Sequence, residues 1–391
     1  MHKNRINRLC IVTWRCSYNY GTSLQAFALE WKMRSLGYSV SILSELRCPH
    51  TAKEIFVLLL HKFRLLRLAL WIKTCFMKRN CPSTCAGRTN SSRLNQRRVD
   101  KIQEWGKLHH IAKDVSSWWG YCRLLMTTDC FVSGSDQIWN TYVDWNPVMY
   151  LTFARGRKRI AYGPSIGTRD INPLRASKMR QWLEKYAHIG VRELTAKKAL
   201  EDLLGRRDIE QVVDPTLLIS KDEWSAIVQA DELKVETPYL LCYLLGKNEA
   251  YDNVVCHIAE ILNLSRIIIV PSLERPDFSI PGGVVVDEAN PFEFVSLLAK
   301  ATWVCTDSFH GTVFSINLQK QFVLLKRFSD QDKASQNSRL YDLLRRYGLL
   351  QQIYENSNMN WNRPIDYDSV DRLVMEDRAK SLKFLKTSIE T

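Results

Sequence analysis

Short apolar runs recur along the chain, each closed by a polar loop and followed by apolar residues at helical spacing. The first, RLCIVTW (8–14), reads as a strand; after the loop RCSYNYG, the stretch TSLQAFALEWKMRSLG sets Leu24, Ala28, Trp31 and Leu36 at near-helical spacing, and Gly37 closes it. YSVSIL alternates as a second strand. Such an opening predicts a parallel sheet with helices on both faces. DCFVSGSDQIWN, RIAYGPS, AHIGVRE and EQVVDPTLL extend that sheet, each placing a strand before polar punctuation. A polar helix, SKDEWSAIVQADELKVETP, changes the tempo, and YLLCYLLG, SRIIIVPS, GGVVVDEANPFEFVSLLAKA, TWVCTDSFHGTVFSINL and QFVLLKRF then lay out a second parallel sheet. The expected division is 1–235 and 236–391, an α/β chain of two Rossmann-like parallel-sheet domains facing a cleft, with an amphipathic helix near 369–386 crossing back over the first.

One segment stands apart. EIFVLLLHKFRLLRLALWIKTCFMKR (54–79) is densely apolar and threaded with His61, Lys62, Arg64, Arg67, Lys73, Lys78 and Arg79. It reads either as a helix or helix pair packed on its own domain, or as a basic amphipathic helix lying on an anionic membrane face. Residues 80–98 read as a polar loop and 99–112 as a helix. No run reaches the ~20 apolar residues of a membrane span.

A length of 391 residues exceeds one compact core. The formal charge of +14 beside 46% hydrophobic residues marks a folded basic protein with anionic partners. Nucleic acid, sugar nucleotides, phosphorylated metabolites and anionic lipid all answer that field, so charge alone does not choose. Eleven cysteines at irregular spacing do not form a disulfide framework and fit a reducing cytoplasm. Cys81, Cys85, His109 and His110 match no familiar zinc spacing well.

Ligands of open parallel sheets gather beyond the carboxyl ends of the strands. The polar residues there are Asn19, Tyr20, Gly21 and Gln25; Ser133 to Asn140; Ser165; Arg192 and Glu193; Asp214; and Thr306 to Thr312. In TDSFHG (306–311) a buried-type strand becomes a helix, so free N–H groups at Gly311, Thr312 and Val313 would suit a phosphate or carboxylate. His310, of a residue type that titrates near neutrality, would transfer a proton to or from a bound substrate. The alternative has Asp307 or Ser308 as helix cap and His310 as a structural histidine. In SGSDQIWN the small residues permit a sharp turn that presents Ser135, Asp136, Gln137 and Asn140 to sugar hydroxyls. Trp139 there is either a sugar-stacking platform or core, and Asp136 either a functional carboxylate or a cap.

NYGTSLQAFAL, DCFVSGSDQIWN, VRE, VVDPTLL and TDSFHGTVFS, in that order over most of the chain, resemble the polysaccharide pyruvyl transferase family. The resemblance implies a GT-B-like pair of domains and transfer of pyruvate from phosphoenolpyruvate to a sugar of a surface polysaccharide or its lipid-linked precursor, forming a cyclic ketal. It implies a cytoplasmic enzyme, at the inner face of the membrane if the basic segment docks there, with no metal, organic cofactor or nucleic-acid partner. His310 matches the family histidine of the phosphoenolpyruvate site and is the expected acid, with Asp136 as base. The family motif often carries Arg where this chain has Ser308, so the expected donor contacts are Ser308, Gly311 and Thr312 with Arg192, Lys326 and Arg327 as replacement cations. Asn19, Gly21, Gln25, Ser135, Gln137 and Asn140 are the expected acceptor contacts. The same layout also serves a GT-B glycosyltransferase using a sugar nucleotide, and the charge alone would serve a noncatalytic basic module.

Overall fold

The computed structural model describes residues 6–15, 19–46, 93–110, 112–143, 145–246, 248, 251–272, 275–332, 335–355 and 359–391. The basic segment 54–79, most of the polar loop after it, and Cys81 and Cys85 lie outside the described residues.

Seven strands form the first sheet: β1 (Arg8–Val12), β2 (Ser39–Leu46), β3 (Ala112–Val115), β4 (Cys130–Ser133), β5 (Lys158–Tyr162), β6 (His188–Val191) and β7 (Glu210–Gln211). All pair in parallel, in the order β3-β2-β1-β4-β5-β6-β7. The second sheet holds β8 (Leu240–Tyr243), β9 (Ile267–Ile269), β10 (Val284–Val285), β11 (Trp303–Thr306) and β12 (Gln321–Leu324), also parallel, in the order β10-β9-β8-β11-β12. The helices are α1 (Tyr20–Ser35), α2 (Arg93–His109), α3 (Trp118–Thr127), α4 (Pro173–Leu183), α5 (Leu194–Leu204), α6 (Pro215–Leu218), α7 (Lys221–Val228), α8 (Tyr251–Ile261), α9 (Pro291–Lys300), α10 (Phe309–Asn317), α11 (Asn337–Arg346) and α12 (Tyr367–Glu390). The central strands are unbroken apolar runs because both sheet faces are covered. Two Rossmann-like domains result, as the alternation of runs and helical stripes led us to expect. The exceptions are β3, where AKDV carries two charges in four residues, and the helix expected over 99–112, which begins at Arg93, inside the stretch expected to be loop, and ends at His109.

In each sheet the winding reverses beside the first strand, giving one switch point between β1 and β4 and another between β8 and β11. The two domains meet at these points. Helix α1 is buried nearly all round, which follows from its place between domains. Its first residue, Tyr20, stacks on Phe294 of α9 at 4.6 Å and donates a hydrogen bond to the Ala289 carbonyl at 2.7 Å. Its buried charges are paired: Lys32 Nζ lies 2.9 Å from Glu223, and Glu30 meets His110 Nδ1 at 2.7 Å. A continuous apolar core runs from β1 through α1, α6 and α9 to α10 and β11. Helix α12 starts on the second domain, where the Tyr367 hydroxyl donates to the Ser315 carbonyl at 3.3 Å. It ends on the first, where Ser381 Oγ accepts from Val213 N at 3.0 Å and Lys158 Nζ donates to the Ile389 carbonyl at 2.9 Å.

Candidate functional site

At the first switch point the Thr13 hydroxyl donates to the Ser135 carbonyl at 2.7 Å, tying the loop after β1 to the loop after β4. The chain then turns at Asp136, whose φ of 75° lies in the left-handed region that Asp enters more readily than most residues. Its Oδ2 accepts from the Thr22 hydroxyl at 2.8 Å and its Oδ1 from Gln137 N at 2.8 Å. Arg192, following β6, brings Nη2 to 3.8 Å from Asp136, Nε to 3.6 Å from Glu193 and Nη1 to 2.6 Å from Asp214. Asp214 also caps α6, accepting from Thr216 N at 3.0 Å and the Thr216 hydroxyl at 2.7 Å. All four charged residues are buried. Burial pushes the Asp136 and Asp214 carboxyls up, but His310 and Arg192 together outweigh it and hold both below the usual carboxylate range. At Glu193 burial wins over Arg192 and the carboxyl moves up.

The second switch point is organised by backbone amides. Asp307 accepts from Leu245 N at 2.6 Å, Gly246 N at 2.7 Å and the Tyr251 hydroxyl at 3.0 Å, closing the loop after β8 onto the end of β11. Burial still raises its carboxyl. Ser308, not Asp307, caps α10: its Oγ accepts from Gly311 N at 3.3 Å. Thr312 N bonds the Ser308 carbonyl at 3.0 Å, and so does the Thr312 hydroxyl. The expectation of free N–H groups at Gly311 and Thr312 therefore needs correction. The groups without intrahelical partners in the first turn are those of Phe309 and His310. Gly311 serves packing instead, since a Cβ there would fall 2.5 Å from Thr306 Oγ1.

His310 carries the second domain into the first. Its Nε2 lies 3.6 Å from Asp214 Oδ2, and a Cβ on Gly21 would fall 2.3 Å from its Nδ1. Gly21, expected to meet an acceptor, is thus the seat of the His310 ring. The ring keeps 6% exposure, and Asp214, Asp136 and Arg192 make its surroundings charged rather than apolar. The Arg192 guanidinium lies over the neighbouring Phe309 ring at 4.6 Å, and Arg339 of α11 lies over the same ring at 5.3 Å. The Arg327 stem packs where the loop after β8 has only Gly246. Lys326 is exposed and pairs with Asp330 at 3.7 Å.

The remaining expected acceptor contacts are engaged within the protein. Asn19 caps α1 through Thr22 N at 3.3 Å, and Gln25 Nε2 donates to Thr13 Oγ1, the Trp14 carbonyl and the Thr22 carbonyl. Ser135 Oγ donates to the Gly163 carbonyl at 2.9 Å. The side-chain amide of Gln137 meets that of Asn140 at 3.0 Å and that of Gln336 at 2.8 Å, a polar chain that joins the two domains. Trp139 is core, stacked on Tyr150 at 5.8 Å. Asp136 has both oxygens occupied and a carboxyl held low, which suits it to fixing Thr22 and Arg192 rather than to taking a proton. Sequence reasoning left Thr22, Phe309 and Arg339 out of the site; Arg339 sits in SRLYDLLRR, where a charged residue on an amphipathic helix signals only a solvated face.

The model of the polysaccharide pyruvyl transferase family matches residues 19–327, from the start of α1 to the end of the strand after His310. No curated protein matches the chain. Among solved structures, UDP-GlcNAc 2-epimerase from Neisseria meningitidis bound to UDP-GlcNAc is 8% identical, with 98% of this chain and 93% of that chain covered and a TM-score of 0.48. Arabidopsis thaliana UGT89C1 complexed with UDP-L-rhamnose is 12% identical over 98% of this chain and 93% of that one, with a TM-score of 0.45. UDP-GlcNAc 2-epimerase from Methanocaldococcus jannaschii is 11% identical over 94% and 99%, with a TM-score of 0.44. Among the described residues no helix is long and apolar enough to cross a membrane.

Proposed function

This chain belongs to the polysaccharide pyruvyl transferase family, and from that premise we propose that it moves the pyruvyl group of phosphoenolpyruvate onto a sugar of a surface polysaccharide or its lipid-linked precursor, closing a ketal. The observation that carries this reading is the meeting of His310 with Asp214 at 3.6 Å across the domain boundary, beside the buried guanidinium of Arg192. An enol ester needs a proton donor and a clamp for its negative charge, and an imidazole beside a guanidinium supports that reading.

His310 protonates the methylene carbon, which makes the adjacent carbon cation-like and open to a sugar hydroxyl. Asp214 stands 3.6 Å from Nε2 of the ring, and Gly21 leaves the ring the space to stand there. The attacking hydroxyl loses its proton as its C–O bond forms, and the deprotonated His310, having given up its own proton, receives it. Phosphate then departs from the tetrahedral adduct with its bonding electrons, and the second sugar hydroxyl adds to the same carbon, releasing its own proton to complete the ketal. Arg192 stays charged throughout because Asp214, Glu193 and Asp136 surround it. The two N–H groups that open α10 add to the field on the phosphate.

The test is incubation with phosphoenolpyruvate and lipid-linked glycans. Released phosphate together with the glycan mass gain of a ketal supports the reading. Glycosyl transfer from a sugar nucleotide, with no phosphate released from phosphoenolpyruvate, overturns it in favour of a glycosyltransferase.

A further inference from the structure

Ser308 is not a cation, and the structure uses its hydroxyl to cap α10, so it contributes no positive charge to a bound donor. The charge comes from elsewhere. Arg339 reaches the site from α11, a helix beyond the residues matched by the family model. Its Nη2 donates to Gln336 Oε1 at 3.0 Å, and its Nη2 and Nη1 stand 3.1 and 3.2 Å from the side-chain amide of Gln137 in the first domain, which also meets the Gln336 amide at 2.8 Å. Its Nε is buried without a hydrogen-bond partner. Arg192, on the same Phe309 ring, is 6% exposed and also leaves Nε and Nη2 without hydrogen bonds, their nearest carboxylate oxygens standing at 3.6 and 3.8 Å. Buried guanidinium N–H groups left unbonded are costly, and an anion is the partner that satisfies them with the strongest hydrogen bonds.

We propose that Arg339 and Arg192, gathered on Phe309 beside the entrance of α10, form a two-arginine clamp for the phosphate or carboxylate of an anionic donor, with Arg339 supplying the positive charge that Ser308 lacks. The clamp deepens the pyruvyl-transfer reading and rests on it for the identity of the donor. Electrostatics agree with the geometry: burial and the like charge of Arg192 pull the Arg339 guanidinium down to about 10, a repulsion that a bound anion relieves. Arg327 also contributes to that repulsion, so the field at this point is that of several converging cations. Because Gln336 and Gln137 belong to different domains, an anion on Arg339 also bears on the polar chain that joins them.

The experiment compares thermal stabilisation of the wild-type protein, Arg339→Gln and Arg339→Lys by phosphoenolpyruvate, inorganic phosphate and a nucleoside diphosphate. In the wild type, phosphoenolpyruvate and phosphate raise the melting temperature. In Arg339→Gln the apparent affinity for both falls on the order of ten- to a hundredfold, the loss expected of one charge-assisted contact, with Arg339→Lys in between. Equal affinity in wild type and Arg339→Gln overturns the clamp while leaving pyruvyl transfer intact. Stabilisation of the wild type by the nucleoside diphosphate alone, lost in Arg339→Gln, keeps the clamp and overturns the phosphoenolpyruvate donor. A wild type that responds to none of the three overturns the clamp. Should Arg339→Gln fail to fold, Arg339→Lys carries the comparison, because it keeps the charge and loses only the forked geometry.

Discussion

At the first switch point the buried carboxylates of Asp136 and Asp214 face Arg192 and His310; at the second, the buried carboxylate of Asp307 faces backbone N–H groups and a tyrosine hydroxyl. Both points use an aspartate to bind one loop to its neighbour. Their electrostatic outcomes are opposite, since Asp136 and Asp214 are held low and Asp307 is pushed up. At Asp307 two backbone N–H groups, the tyrosine hydroxyl and the charge of Arg327 do not offset burial, whereas at Asp136 and Asp214 His310 and Arg192, with hydrogen bonds beside them, do. The second point therefore holds a loop in shape, while the first gathers buried charged groups and sets one of them, Asp214, beside His310.

The most severe way to break this contrast is Asp214→Ala, which strips Arg192 and His310 of their shared partner and uncaps α6. Arg192 keeps Glu193 and Asp136 but loses its shortest ion pair, so the cost approaches that of a broken buried pair, about 3–5 kcal/mol, to be read as a lower urea midpoint. Gly21→Ala attacks the meeting point rather than either side. The new methyl occupies the place of the His310 ring, so turnover falls on the order of a hundredfold, while the Ala in a helix keeps the far-ultraviolet spectrum unchanged. An unaltered rate would show that the ring's seat is irrelevant. Asp307→Asn is milder: it keeps the shape, loses acceptor capacity and costs about 1–2 kcal/mol of stability. A loss as large as that of Asp214→Ala would erase the distinction drawn here.

The smallest effect is the shape of stability against pH. For Asp214 and Asp136 the folded-state value lies below the unfolded one of about 3.9, so the unfolded chain binds more protons in that window and stability rises with pH up to about pH 4. For Asp307 and Glu193 the folded-state value lies above the unfolded one, so stability falls as pH rises from about 4 toward that raised value. Urea midpoints across this range should show Asp214→Asn flattening the acidic limb and Asp307→Asn flattening the fall above it.

Both sheets were legible in the sequence because their strands, buried on both faces, leave unbroken apolar runs, and the helices between them leave stripes. The weak points were β3, whose charges hide an edge strand, and α1, whose stripe hid a helix packed on every side. His310 and Arg192 could be picked out because residues at strand ends point toward the site. What could not be read was who would face whom. Gly21 looked like a ligand contact and is a clearance; Ser308 looked like a donor contact and is a cap; Arg339 drew no reading at all and lies over the Phe309 ring beside Arg192. The Ser308 cap is a local contact that the sequence left open as one of two readings, but the places of Gly21 and Arg339 depend on contacts between residues far apart in the chain, which no local spacing encodes.

Helix α12 has a consequence for how anything reaches this interior. Anchored at its start to the second domain and at its finish to the first, it behaves as a brace of fixed length. Parting the two halves to admit a bulky glycan cannot lengthen that brace, so the permitted movement is a swing about it, opening widest on the side it leaves unbridged.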